Sequence, residues 1–447
     1  MLSFALLIIL VLMMLDKMGK GIVLRESTAI LYTLTCVIMP LVGYMFYTRE
    51  NQLARLWVRY MPVPEAVYYE FALPAIAFFC LALTWPMIAK HDSDEDIFLE
   101  TILNKIRKHL SSQPNTGLYL MGLGMVISLV VRALPAALQF VATIFFFSSF
   151  AGLLYVHFSP VLRYKRLIQL GFILFILANA LSSGMFTIVA YMGITIFSFF
   201  ILGNRTSLFK KVLLLICAAA FFIVLQNTKY TYRKMTWRGQ YSDNKAQLFI
   251  RLFIEDLQKG TALIEEKAFF PIYTRMNQGY NIALVMRRIP SRQPHDNGRN
   301  LSLAFASAFV PRALWPDKPE AGGKFNMKFY AGITLKGWST NIGPLGEAYG
   351  SFGVKGGIVF MFFLGVFIRW AYKKVFVISK RIPLLVCWIP VLFFQTTYSS
   401  ETDTLQILNS LLKSAFFIFV FYKFMPGWFG IEQQKKQTLP QDAPVSA

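Results

Sequence analysis

Apolar stretches approaching the roughly 20 residues that a helix needs to cross a bilayer recur along almost the whole chain. They fall near residues 2–15, 27–47, 67–89, 117–134, 136–158, 167–182, 184–202, 212–226, 354–371, 382–398 and 405–425. Between the eighth and the ninth the pattern changes, because Thr228 to Phe352 is basic and polar and its apolar residues return only at amphipathic spacing. Over 229–267, Leu248, Phe249, Leu252, Phe253, Leu257 and Leu263 recur at helical intervals with charges between them, which suits a helix lying at an interface or capping a bundle. Residues 273–290 repeat that pattern, with Arg275 near the start and Arg287 and Arg288 near the end. Residues 291–300 are turn-forming, 301–310 are apolar, and Pro311, Pro316 and Pro319 then prevent a regular helix.

The pattern predicts an all-α polytopic membrane protein of about eleven transmembrane helices with one large, partly helical extracytoplasmic loop. An N-terminal bundle of about eight spans occupies 1–226, the loop 227–353, about three further spans 354–425, and a cytoplasmic tail 426–447. Composition agrees: 56% of the 447 residues are hydrophobic and only 15% charged, so most of this chain's solvent is lipid. The first stretch lacks a basic segment before it and an A-x-A site after it, and reads as a span rather than a signal peptide.

Charge sets the expected orientation. Lys17, Lys20 and Arg25, then Lys105, Arg107 and Lys108, Arg163, Lys165 and Arg166, Arg205, Lys210 and Lys211, Lys373, Lys374, Lys380 and Arg381, and Lys435 and Lys436 all fall on one side with eleven spans. By the positive-inside bias that side is cytoplasmic, with the N-terminus outside and the C-terminus inside. The connection from Ser399 to Thr404 is acidic and faces outward. Arg49, Arg55 and Arg59 also land outside in a short loop, against the bias, which marks them for inspection. The large segment holds nine Lys and nine Arg against nine Asp or Glu, so it presents cations to anions at a membrane surface.

Several chemistries lose their support. Cys36, Cys80, Cys217 and Cys387 lie inside spans, and His91, His109, His157 and His295 have no paired ligand spacing, so neither a disulfide framework nor a metal site is implied. GxGxxG, GxxxxGK[ST], HExxH and GxSxG are all missing. No nucleic-acid partner is expected. Within the loop, Arg312 and Lys318 sit on a proline-stiffened backbone, which lowers the entropic cost of holding an ionic ligand; anionic lipid headgroups are the simpler ligand for any one lysine. Glu347 falls where the ninth span meets the outer interface, a costly depth for a carboxylate without a partner or a task. A salt bridge to a loop arginine and a chemical role are both open.

The run Val310-Pro-Arg-Ala-Leu-Trp-Pro-Asp-Lys-Pro319, followed by Gly346-Glu-Ala-Tyr-Gly-Ser-Phe-Gly-Val-Lys-Gly-Gly357 and another span, resembles the Wzy-type oligosaccharide repeat-unit polymerases of bacterial surface polysaccharides. The resemblance is specific over 275–365 and architectural elsewhere; where many relatives carry an arginine before a mid-chain span, this chain has Ser182-Ser-Gly-Met-Phe186. It implies a glycosyltransferase of the bacterial cytoplasmic (inner) membrane that moves a glycan from undecaprenyl diphosphate to the terminal sugar of another carrier-linked repeat unit. Membrane lipids, a flippase and a chain-length regulator would be its neighbours, with no cofactor. The leaving diphosphate must have its charge stabilised, and arginine forks bind phosphate oxygens in pairs. The resemblance thus implies Arg275, Arg288 and Arg312 as diphosphate clamps aided by Lys318, with no divalent metal. Glu347, His295 and Asp296 compete as general base, and Trp315, Tyr330, Trp338 and Tyr349 suit sugar stacking. An O-antigen ligase would use the same donor. A flippase would need more intramembrane charge than Arg132 and Lys413 supply, and a structural scaffold is the remaining alternative.

Overall fold

A computed structural model describes residues 1–84, 93–183, 186–204, 206–237, 244–310, 314–336 and 339–431. Of the described residues 79% are helical, and they contain no strand. Its principal helices are α1 (Leu2–Lys17), α2 (Leu24–Met45), α3 (Glu65–Thr84), α4 (Ser93–Ser112), α5 (Thr116–Val130), α6 (Ala136–Phe158), α7 (Lys165–Ser183), α8 (Ile188–Phe200) and α9 (Leu208–Trp237). They continue with α10 (Lys245–Lys259), α11 (Glu266–Met276), α12 (Gly279–Arg288), α13 (Arg299–Phe309), α14 (Gly323–Ala331), α15 (Gly343–Ser379) and α16 (Thr404–Phe424). Among the described residues six helices are long and apolar enough to cross a membrane: α2, α3, α9, α15, α16 and the 138–158 stretch of α6.

Over their described residues ten of the eleven expected apolar stretches are mainly helical, and the exception has a clear cause. Residues 382–398 form short pieces, Pro383–Trp388, Ile389–Leu392 and Phe394–Thr397, because Pro383 and Pro390 interrupt the run. Irregular backbone at such depth is tolerated where protein surrounds it, and Leu384, Val386, Cys387, Trp388 and Ile389 are fully buried. Trp388 donates its indole N–H to the Tyr155 hydroxyl at 2.9 Å, and the segment forms one core with α4, α6 and α8.

A second core joins α2, α3 and α15 to Ile282–Ile289, Met327 and Tyr330. The polar middle of the sequence is thus packed into the bundle rather than set apart. Helix α9 runs unbroken across residues 226 and 227, and α15 begins at Gly343 and continues through the apolar stretch that starts at 354. Helix α15 bends at Gly353, whose φ of 68° and ψ of −158° suit a residue without a Cβ.

Close helix pairs are built on glycine. A Cβ on Gly152 of α6 would lie 2.8 Å from the Gly117 carbonyl oxygen of α5, and one on Gly117 would lie 2.9 Å from that of Gly152. Helix α15 uses Gly365 the same way against α3, where a Cβ would meet the Phe79 oxygen at 2.7 Å. Small residues of this kind let backbones approach in lipid, where burying apolar surface gives no driving force between helices.

Candidate functional site

The acidic connection between the broken segment and α16 organises the polar chemistry of the fold. On one side Glu401 pairs with the Arg275 guanidinium of α11 and accepts the Tyr191 hydroxyl at 2.7 Å. Three residues on, Thr404 donates to Glu347 through its backbone N–H at 2.9 Å and its hydroxyl at 2.5 Å. Between them Asp403 caps α16 by accepting the Gln406 N–H at 2.6 Å, and also accepts the Gly322 N–H at 2.6 Å and the Asn341 amide at 2.8 Å. These bonds tie the start of α16 and the connection before it to α8, α11, α15 and the residue that opens α14.

Glu347 is 4% exposed and its partners are not arginines. Its second oxygen accepts the Asn326 amide at 2.8 Å, so both oxygens are engaged by neighbouring elements, and no cation of the described residues forms a salt bridge with it. A further buried amide, Asn281 of α12, donates to the Asn341 carbonyl and the Thr340 hydroxyl, each at 2.9 Å. Burial pushes the Asp403 carboxyl above the ordinary carboxylate range.

Arg275 faces a cleft of about 420 Å³, open solvent included, between α2, α8, α9 and α11. Its lining mixes polar Lys229, Gln226, Thr35, Tyr191 and Glu401 with apolar Leu31, Phe186, Ala190, Phe222 and Met276. The Glu401 carboxylate raises the Arg275 pKa further, so the guanidinium stays charged. Lys229 is only 6% exposed, yet no carboxylate of the described residues lies within ion-pair distance of its ammonium. The cleft thus sets two basic side chains, Arg275 and Lys229, against the single carboxylate of Glu401, and an anion is what would offset the excess.

The other sequence-predicted residues lie elsewhere. Arg288 ends α12, whose ten residues span about 15 Å. Its Nε donates to the Gln293 side chain at 3.3 Å, and its guanidinium packs on Gly332. His295 donates from Nδ1 to the Tyr349 carbonyl at 3.0 Å, which fixes the tautomer and leaves Nε2 with its lone pair. Asp296 accepts the Gly298 and Asn300 N–H groups, both at 3.1 Å, and the Tyr330 hydroxyl at 2.9 Å, so it serves as a turn and helix cap. Lys318 donates to the carbonyls of Ser307 and Val310, at 2.9 and 2.7 Å, and thereby caps the end of α13. Tyr349 is buried with its ring 5.1 Å from Phe71 and 5.7 Å from His295, a packed rather than a sugar-facing position. Trp315 is half-buried. Arg312 and Trp338 lie outside the described residues. In the short early loop, Arg49 stacks over Tyr60 at 5.1 Å and Arg59 over Tyr280 of α12 at 5.0 Å. Those arginines have local aromatic partners of the ordinary kind.

Sequence reasoning named Arg275 but missed Lys229, Tyr191, Glu401, Asp403 and the three asparagines. The acidity of 399–404 was the available signal. Among the described residues no three His, Cys, Asp or Glu side chains gather in a way that could hold a metal ion.

Residues 97–379 match the family described as Domain of unknown function (DUF8712), and since that is more than half of the chain, the chain belongs to this family. No curated protein and no solved structure matches.

Proposed function

We propose that this member of the family polymerises undecaprenyl-diphosphate-linked oligosaccharide repeat units into a bacterial surface polysaccharide, acting on the outer face of the cytoplasmic membrane. In this reading the chain crosses the membrane about eleven times, with its N-terminus outside and its C-terminus in the cytoplasm. The observation that carries the proposal is the cleft, in which Arg275 and the buried Lys229 share the lining with apolar side chains. A lipid diphosphate calls for both: cations for its oxygens and apolar surface for its isoprenoid.

The roles follow from what each side chain has left to offer. Arg275 binds phosphate oxygens through its fork and Lys229 adds a second charge, stabilising the leaving diphosphate as its negative charge grows. Of the three candidate bases, Glu347 and Asp296 spend their oxygens on neighbouring N–H and O–H groups. His295 keeps Nε2 as an acceptor for a sugar hydroxyl. Arg288, nearer to His295 in sequence and at the end of α12, belongs with the acceptor substrate rather than with the donor diphosphate.

A strain lacking the gene should keep single repeat units on its lipid A core while losing long chains. Restoring the gene with Lys229→Met should leave that defect at normal protein level, since replacing a buried charge by an apolar chain of similar length is tolerated by folds. Loss of all attached glycan in the deletion strain would instead identify a ligase, and full-length polymer from Lys229→Met would remove the cleft from the mechanism.

A further inference from the structure

A protein that binds a lipid diphosphate does so in a sea of phospholipids, each carrying a phosphodiester. The cleft must therefore reject single negative charges that are far more abundant than its ligand. We propose that Glu401 supplies this specificity: its carboxylate is an internal anion that occupies Arg275 until a ligand with two or more adjacent negative charges displaces it. The proposal rests on the reading of the cleft as a phosphate site and adds the selectivity that reading lacks.

The charges in the cleft make the argument. Arg275 is not open to any passing anion, because Glu401 is already paired with it. A phosphodiester that displaced the carboxylate would exchange one negative charge for another and gain nothing from Arg275. A diphosphate also satisfies Arg275, but brings further charge to Lys229, which has no carboxylate of its own among the described residues. The remaining polar lining, Thr35 and Gln226, is neutral and does not separate the two ligands by charge.

The surroundings let the carboxylate leave without disturbing the fold. Ser400 is held through its hydroxyl by Thr35 at 3.2 Å, and Asp403 by Gly322, Asn341 and Gln406, so the backbone on both sides of Glu401 is anchored. Displacement then requires only rotation of one side chain. The Tyr191 hydroxyl, already on its first oxygen at 2.7 Å, gives the released carboxylate a partner and keeps it close enough to recapture Arg275 when product departs.

The test uses purified full-length protein in a neutral detergent at low salt, with inorganic pyrophosphate and singly charged dimethyl phosphate as calorimetric probes. The native protein should prefer pyrophosphate by on the order of 10²-fold, the effect of one added charge contact at the effective dielectric of a partly buried site. Glu401→Gln should raise dimethyl phosphate affinity by about tenfold and shrink the preference to about tenfold. Glu401→Asp, which withdraws the charge by one methylene and is the milder change if the amide variant folds poorly, should narrow the preference by less. Weaker binding of both probes in Glu401→Gln would make the carboxylate a support for Arg275, and an unchanged preference in both variants would equally overturn the proposal. Failure of the polymerase reading looks different: polymer length would be normal in Lys229→Met while the probe preference still followed Glu401.

Discussion

Replacing Glu347 separates its structural role from a chemical one. The carboxylate is 4% exposed and accepts from the Asn326 amide at 2.8 Å, the Thr404 N–H at 2.9 Å and the Thr404 hydroxyl at 2.5 Å. Glu347→Ala leaves three donors without an acceptor in a buried site, each worth about 1–3 kcal/mol. Some of that is recovered by entering water and by relief of the nearby Asp403 carboxylate, so the net loss should be about 3–5 kcal/mol. Glu347→Gln keeps the shape. Its amide oxygen can accept from Thr404, and the Asn326 amide can turn to present its own oxygen, for a loss within about 1 kcal/mol. Thermal unfolding in detergent, followed by tryptophan fluorescence and by recovery from size exclusion, reads both variants. The alanine protein should melt roughly 5–10 °C lower, while the glutamine protein should stay near the native midpoint and still make polymer. Equal midpoints for the alanine and native proteins would refute the anchoring role. A glutamine protein with native stability and no polymer would return the carboxylate to the chemistry.

Two further outcomes follow from the same network. Tyr330→Phe removes the hydroxyl that donates to Asp296 at 2.9 Å and pairs with Ser351 at 3.2 Å; because Asp296 keeps its two N–H partners, the loss should be about 1–2 kcal/mol, with faster proteolysis across 291–298, and an unaltered cleavage rate would count against that tie. The Asp403 carboxyl binds its proton more tightly when folded than when unfolded, because burial raises its pKa. The folded state then holds more protons than the unfolded one above the ordinary carboxylate pKa, so stability is full below about pH 4 and falls as pH rises through the window up to the folded pKa. Asp403→Asn, which keeps a capping side chain, should flatten that slope above about pH 4; a slope of native steepness in the variant would assign it to another group.

Much of the fold was legible where period and length both spoke. Leu248 and Leu252 were placed on an amphipathic helix by their spacing, and both are buried on α10. Residues 382–398 were misread because hydropathy reports a solvent and not a backbone; Pro383 and Pro390 were the better guide. Helix α4 went unread for the opposite reason. Its charges drew the eye, although Leu99, Ile102, Leu103, Ile106 and Leu110 recur at helical spacing and all are buried. The site was legible only in part, since Arg275 could be picked by residue type but its partner Glu401 is 126 residues away. No local pattern encodes that meeting, and the same holds for Glu347 with Thr404.

The glycine contacts between α5 and α6 bear on the order in which the chain assembles. Helices α5 and α6 follow one another directly, and their interlock at Gly117, Gly124 and Gly152 is formed by backbone fit alone. This hairpin can therefore zip as soon as its two arms have left the ribosome and entered lipid, with no need for residues still to be synthesised. Asp403 and Thr404 emerge long after this hairpin, and their bonds to other elements reach back to Gly322, Asn341 and Glu347. Between those two stages the nascent protein thus has a closed hairpin and a site still open beyond it. Substitutions at the glycines should accordingly reduce how much protein reaches the membrane, whereas those at the late polar ties should leave the amount intact and change how well the finished protein holds together.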